Sequence, residues 1–178
     1  MKCFGEKEEL AIEYEIIDNE SYFDIWVDGK SLCCFYRDGK KQYNKCELSY
    51  IIEWFIANTQ HIIEEKDFPL QVNADSSLDF WDKSGKFDSE DIEEFHDWFE
   101  KRQDWYFRHS WYSERAGAFL AEVMFRRVGE KIEIEWDNSC LYDGIDFINP
   151  SGINYVGVDT FQQVVNEFIR DCKNNGIA

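Results

Sequence analysis

The alternation of apolar and charged residues between Gly117 and Trp136 constrains the fold more than any other stretch of the chain. The apolar positions are Phe119, Ala121, Val123, Phe125, Ile132, Ile134 and Trp136. A period of two residues is that of a β-strand with one buried face. Residues 128–131, with Gly129 among them, predict the turn between two strands. We therefore expect a β-hairpin with one apolar face and one charged face.

The N-terminal part of the chain predicts a further antiparallel unit. Residues 10–17, 22–27 and 32–36 have the composition of short strands, and Asp28-Gly29 is a favourable two-residue hairpin turn. Cys33 and Cys34 lie in the third of these strands, so we expect one of them to point into the core as a small apolar residue. This segment is interpreted as a three-stranded meander.

Helical periodicity appears in two other segments. Residues 47–65 carry apolar side chains on one stripe, and Pro69 ends that helix. The C-terminal segment has the strongest amphipathic pattern, with Asp159 expected as its N-cap and Gln162 in capping-box position. A short edge segment within 137–152 and a strand at 154–158 are expected before it. We therefore predict a single α+β domain over residues 1–178, with a mostly antiparallel sheet from meander and hairpin and three to four packing helices.

Composition limits the possible functions. The 178 residues are 44% apolar and 17% aromatic, which is ample for a core. They carry 37 acidic and 19 basic residues, for a formal charge of -18. That charge argues against direct binding to nucleic acid or to an anionic membrane. A basic protein partner and solubility alone both remain as explanations. We expect six reduced cysteines in a cytoplasmic protein, because no secretion signal or disulfide framework is apparent.

The acidity is concentrated in residues 75–104, which hold eleven acidic and four basic side chains. Ser89 is the expected N-cap of a helix whose inner stripe would be Ile92, Phe95, Trp98 and Phe99. Its outer face would be a ridge of carboxylates spaced loosely like phosphates, or simply a solvated surface. The candidate partner contacts are Asp79, Asp82, Asp88, Glu90, Asp91, Glu94 and Asp97.

A second candidate site lies in the aromatic and basic segment that follows. Its members are Trp105, Tyr106, Phe107, Arg108, His109, Trp111, Tyr112 and Arg115. Such residues can stack bases, but with acids beside them we expect them to pack beneath the hairpin. Arg126 and Arg127 on the hairpin add a small positive patch, and we expect one of them to pair with the acidic ridge. Arg108, His109, Arg126 and Arg127 therefore form the possible second site.

Catalytic motifs give little support for an enzyme. The chain has three histidines and lacks a Gly-x-Ser-x-Gly elbow, a phosphate-binding Gly-rich loop and a dinucleotide fingerprint. No cysteine and histidine spacing suggests a metal, and no cofactor is implied. His109 with Arg108 and a nearby carboxylate would be the catalytic centre if one existed. We expect no enzymatic activity.

The string RHSWYSERAGAFLAEVMFRRVGEKIEIEWDN resembles a segment upstream of the peptidase in some ImmA/IrrE-type zinc-peptidase proteins. DIWVDGKSLC, LSYIIEWFIAN, FPLQVNADSS and VDTFQQVVNEFI extend the resemblance over residues 23–169. The chain has no His-Glu-x-x-His, so the resemblance is to the accessory region and the peptidase activity does not carry over. It implies a recognition or regulatory module of the kind found around phages, mobile elements and stress responses.

Charge and resemblance together favour a non-enzymatic inhibitor. The expected partner is the basic surface of a nuclease or other nucleic-acid-handling protein, as for an anti-CRISPR or other anti-defence factor or an immunity protein. The alternatives are a sensor or adaptor that works with a zinc peptidase or regulator, and an enzyme centred on His109. The sequence leaves the oligomeric state open.

Overall fold

The predicted N-terminal meander is present, and it includes one strand more at its start. The computed structural model describes residues 1–111 and 117–177. In it β1 (Lys2–Glu6), β2 (Leu10–Ile17), β3 (Glu20–Val27) and β4 (Lys30–Ser31) form an antiparallel sheet in that order. The alternating positions of β2 and β3 bury Leu10, Ile12, Phe23 and Ile25. β1 has one apolar anchor, Phe4, so its sequence carries little strand periodicity.

The predicted third strand at residues 32–36 is not formed as one strand, because β4 ends at Ser31 and the next strand begins only at Phe35. β5 (Phe35–Arg37) pairs with β6 (Lys40–Gln42) and with β9 (Asp146–Phe147), the expected short edge segment. The break between β4 and β5 contains Cys33 and Cys34, which are both buried, whereas one was expected to be. The buried carboxylate of Asp24 holds this break by accepting from Ser31 Oγ at 2.6 Å and Cys33 N at 3.0 Å. Burial raises the pKa of the Cys34 thiol to about 11.

The predicted hairpin is confirmed, but its first strand begins later than expected. β7 (Met124–Val128) and β8 (Lys131–Asp137) pair as predicted, and β10 (Ser151–Gly157) joins β8 on the other side. Residues 119–123 are buried or half-buried without pairing. Side chains replace the ladder there: Trp111 Nε1 donates to Ala121 O, and Asn138 Oδ1 accepts from Glu122 N. Meander and hairpin lie in separate sheets, whereas a single sheet from both was expected.

Four helices complete the α+β fold among the described residues: α1 (Leu48–Glu64), α2 (Ser77–Ser84), α3 (Ile92–His109) and α4 (Val158–Asn174). The amphipathic stripe of α4 is confirmed, because Phe161, Val164, Val165, Phe168 and Cys172 are buried.

The expected capping box of α4 is wrong. The helix begins at Val158 after an uncapped Gly157, which places Asp159 inside its first turn.

One apolar core joins the meander, the hairpin, α1 and α4. Phe55 of α1 and Phe168 of α4 have ring centroids 6.1 Å apart at its centre. Trp111 lies against Phe55 at 5.6 Å and against Phe23 at 5.5 Å, both edge-on. A helix long and apolar enough to cross a membrane does not occur in residues 1–111 or 117–177.

Candidate functional site: the acidic arm

Residues 75–104, called here the acidic arm, contain α2 and most of α3. Ser76 caps α2 by accepting from Asp79 N at 3.4 Å. The expected cap of α3 at Ser89 is wrong: Asp91 caps it, accepting from Glu93 N at 2.9 Å and Glu94 N at 3.2 Å. Ser89 lies outside the helix, and its hydroxyl donates to Glu94 Oε2. The acids in the first turn of α3 are favoured by the positive end of the helix dipole.

A small separate core lies at the base of the arm. It consists of Trp105, Tyr106 and Met124, with Phe68, Leu78 and Trp81 packed against it. The Arg102 guanidinium lies 3.2 Å from the centroid of the Trp81 ring and donates to Trp81 O at 2.9 Å and to Ser84 Oγ at 3.0 Å. Trp98 Nε1 donates to Ser84 O at 2.9 Å. These contacts lock α2 and α3 together.

The predicted charged face of the hairpin, called here the platform, contacts the N-terminus of α2 and so supports the arm. Ser77 donates its N–H and its hydroxyl to Glu133 Oε1, at 2.9 and 2.6 Å. Leu78 N donates to Glu135 Oε2 at 2.8 Å. Glu133 is fully buried, with Arg126 paired to it at 2.8 Å. Carboxylates at a helix N-terminus satisfy its free N–H groups and its dipole, so α2 is anchored by its end.

The tip of the arm, residues 91–97, is exposed to solvent. Every residue from 91 to 97 is exposed, including Ile92 at 72% and Phe95 at 36%. The predicted inner stripe is therefore wrong in its first half, since burial begins only at Trp98 and Phe99, which are half-buried. A helix packed on a domain buries one face along its length. The first two turns of α3 bury none, so they project into solvent.

All seven predicted contact acids lie on this arm, but they are not equivalent. Asp79 pairs with Lys83 and Asp97 with Lys101, each at 2.7 Å. The Lys83 ammonium holds the pKa of Asp79 below its usual value. Asp91 and Glu94 make the local bonds described above. The other three, Asp82, Asp88 and Glu90, are exposed and make no hydrogen bond or ion pair with the described part of the chain.

Three further acids of α3, Glu93, Glu100 and Asp104, were not predicted as contacts from the sequence, although they share a stripe with Asp97. Glu93, Asp97, Glu100 and Asp104 follow the spacing i, i+4, i+7, i+11, which places them on one face of a helix. All four are exposed. Within the described ranges, only Asp97 is in an ion pair. The sequence contains this helical spacing, but the many other acidic residues nearby made it difficult to recognise.

The four residues of the possible second site do not meet in one place. Arg126 belongs to the arm's platform, and Arg127 donates to the carbonyl of Ile63 at the end of α1 at 2.9 Å. The expected ion pair between one of these arginines and the acidic ridge is wrong: in the described part of the protein their carboxylate partners are Glu133 and Glu130 of the hairpin. Tyr112 and Arg115 lie outside the described residues.

His109 is enclosed rather than open to a substrate. Its side chain is 0% exposed. Its ring stacks on Trp105. Nδ1 contacts Phe125 O at 2.6 Å and Nε2 contacts Glu65 Oε2 at 3.2 Å. Both neighbours are acceptors, so both bonds form together only when the ring carries two protons. Arg108 Nε donates to the same carboxylate at 2.9 Å. This cluster fastens α3 to the end of α1, and both ring nitrogens have a partner within it.

Glu65 at the centre of that cluster gives the fold a predicted acid sensitivity. Bonds from His109 and Arg108 lower its pKa from 4.5 to about 2. A lowered folded-state pKa contributes stability above about pH 4.5 that is lost as pH falls towards 2. Glu65→Gln should therefore lower the free energy of unfolding at neutral pH by about 1–2 kcal/mol, allowing for solvent screening, and flatten its loss on acidification. Urea denaturation between about pH 7 and pH 2.5 measures both effects.

The matched control is Glu53→Gln, an exposed position on the same helix α1. We expect it to change the pH dependence little. If the free energy of unfolding fell equally on acidification in Glu65→Gln and in the wild type, Glu65 would not be the source of the acid sensitivity.

The chain matches no protein-family model, and neither curated proteins nor solved structures show significant similarity to it. In residues 1–111 and 117–177, no group of three or more His, Cys, Asp or Glu side chains is arranged to hold a metal ion. The six cysteines are free. The geometry of the acidic arm is therefore the feature of the described structure that points to a function.

Proposed function

We propose that this is a cytoplasmic, non-enzymatic binding protein whose acidic arm occupies the basic surface of a nucleic-acid-handling protein and inhibits it. An anti-CRISPR or other anti-defence factor and an immunity protein for a nuclease are the types that fit. The observation that carries the proposal is the exposure of α3 on every side from residue 91 to 97. Such a helix has its charged surface available to a partner.

The chemistry of the arm suits a groove that normally holds phosphates. Such a groove presents arginine and lysine, which attract carboxylates and steer fast association. The base of the arm is already ordered by Arg102 and Trp98, so little conformational entropy is lost on binding. Ile92 and Phe95 add exposed apolar area among the acids, which is where an interface can exclude water.

The proposal is tested by capture from host lysate on the immobilised 178-residue chain at low salt, with elution first by short duplex DNA and then by NaCl. A nucleic-acid-binding protein released by the DNA is the expected result, because DNA and the arm compete for one surface. Retained proteins that resist both DNA and salt, or no specific retention, would contradict it. Recovery of a zinc peptidase or a regulator would replace the inhibitor with the adaptor.

A further inference from the structure

The outer edge of β10 presents backbone groups that pair with no other strand in the described part of the chain. At its two ends, Asn138 N donates to Pro150 O at 2.6 Å and Val158 N donates to Glu130 O at 3.3 Å. In an antiparallel ladder the hydrogen-bonded positions alternate. Residues 152, 154 and 156 therefore face β8. Ser151, Ile153, Tyr155 and Gly157 direct their N–H and C=O groups away from the sheet.

The opposite edge of the same sheet is covered. There, His109 Nδ1 donates to Phe125 O, and Ser110 forms a bridge with Met124. Along β10 the described part of the chain supplies one such contact, from Tyr155 N to the neighbouring Asn154 Oδ1 at 2.8 Å. Free edges are normally protected by charge or proline. β10 has neither: its sequence is SGINYVG, in a chain of charge -18.

We infer that β10 pairs with β10 of a second copy of this chain, antiparallel and two-fold symmetric about Asn154. The strand is complementary to itself in this register. Ser151 then lies opposite Gly157 of the second copy, and Ile153 lies opposite Tyr155. These are the positions whose backbone groups point outward, so they form the hydrogen-bonded pairs, with Tyr155 N exchanging its bond to Asn154 Oδ1 for one to the second copy. Ile153 and Tyr155 are 45% and 40% exposed, and an aromatic residue opposite a β-branched one is a favourable cross-strand pair.

The electrostatics of this contact fit a second copy. No like charges meet along β10, because the strand has none. On the next strand Asp137 stands beside Ser151 and Lys131 beside Gly157. In the symmetric register, Asp137, Ser151, Gly157 of the second copy and Lys131 of the second copy therefore lie side by side across the four strands. The outer two residues carry opposite charges rather than like charges. The remaining acidic surface repels its copy, and salt screens that repulsion. Self-association should therefore strengthen with salt, whereas binding of a basic partner should weaken.

The test is sedimentation equilibrium of the full chain at up to about 200 µM, since an edge contact of this size is expected to be weak. A monomer–dimer equilibrium that tightens between about 0.05 and 0.5 M NaCl is expected. Ile153→Lys should raise its dissociation constant at least about 10-fold, because it places like charges across the two-fold axis. The control Val128→Lys changes an apolar residue, 39% exposed, at the end of β7 and should leave the constant unchanged.

A crosslink tests the register without depending on that variant. Asn154→Cys should form a disulfide-linked dimer when Cys3 and Cys140, the exposed cysteines, are serine, because residue 154 meets itself at a distance of about 4.5 Å. A chain that stays monomeric at high salt would overturn the inference. So would a dimer that tolerates Ile153→Lys and does not crosslink through position 154, since another face would then be in contact.

Discussion

Replacing Glu133 with alanine is expected to lower the free energy of unfolding by about 3–5 kcal/mol. The carboxylate is fully buried, and Arg126, 13% exposed, is its ion-pair partner. Its loss leaves that guanidinium without its carboxylate. It also removes the acceptor of Ser77 N and Oγ and of the Tyr155 hydroxyl. Buried donors left unsatisfied carry the full desolvation cost.

Urea denaturation at neutral pH measures this loss. The matched control is Glu130→Ala in the turn of the same hairpin, where the side chain is 91% exposed and an effect within about 0.5 kcal/mol is expected. Replacing both Glu133 and Arg126 with leucine should recover part of the loss, since no buried charge then remains unpaired. If Glu133→Ala were as mild as Glu130→Ala, the hairpin would not anchor the arm.

Reversing three charges of the arm should weaken partner binding by about 10–100-fold, or roughly 1.4–2.7 kcal/mol. The variant is Asp82→Lys, Asp88→Lys and Glu90→Lys. The side chains of these acids are exposed and make no hydrogen bond or ion pair within the described residues, and Asp82 acts on Arg102 only through space, so the fold should be retained. The loss should appear mainly in the association rate and shrink as salt rises, because the attraction is long-range and screened. Binding kinetics with the captured partner at several salt concentrations measure it.

The matched control carries the same net charge but leaves the arm intact. It is Glu6→Lys, Glu53→Lys and Asp143→Lys, three exposed positions on the body of the protein. We expect at most a few-fold change in affinity for this control. Equal weakening by both triple variants would mean that binding depends on total charge and not on the arm.

Elements with a complete local pattern were predictable from the sequence. The stripe of α4 and the alternation of Ile132, Ile134 and Trp136 describe faces that the core fills as expected. Residues 119–123 have the same alternation, but the side chains of Trp111, Asn138 and Tyr142 bond to the backbone there in place of a strand. Periodicity reports which side is buried and not what the backbone pairs with. For that reason the alternating pattern did not predict the residue at which β7 begins.

The arm shows the same limit at the level of the site. Its acids were evident from composition, and their placement on a helical segment was expected. Two properties of the arm could not be predicted from the sequence. The alternating pattern places Glu133 on the charged face of the hairpin, but α2 covers that side chain. The helical pattern predicts that Ile92 and Phe95 are buried, but the packing of the arm begins only at Trp98. Both depend on contacts between segments distant in sequence. His109 and Arg126 were predicted to belong to one candidate site. In the structure His109 joins α3 to the end of α1, whereas Arg126 pairs with Glu133 on the hairpin.

The central claim, that the arm is the surface bound by the partner, is tested most directly by amide hydrogen–deuterium exchange of the full chain with and without the captured protein. In the free protein, the first turns of α3 should exchange fastest among the helices, since they have no tertiary packing. In the complex, slowed exchange should be centred on residues 86–98. Slowing confined to other segments, with those residues unchanged, would contradict the assignment of the acidic arm as the functional site.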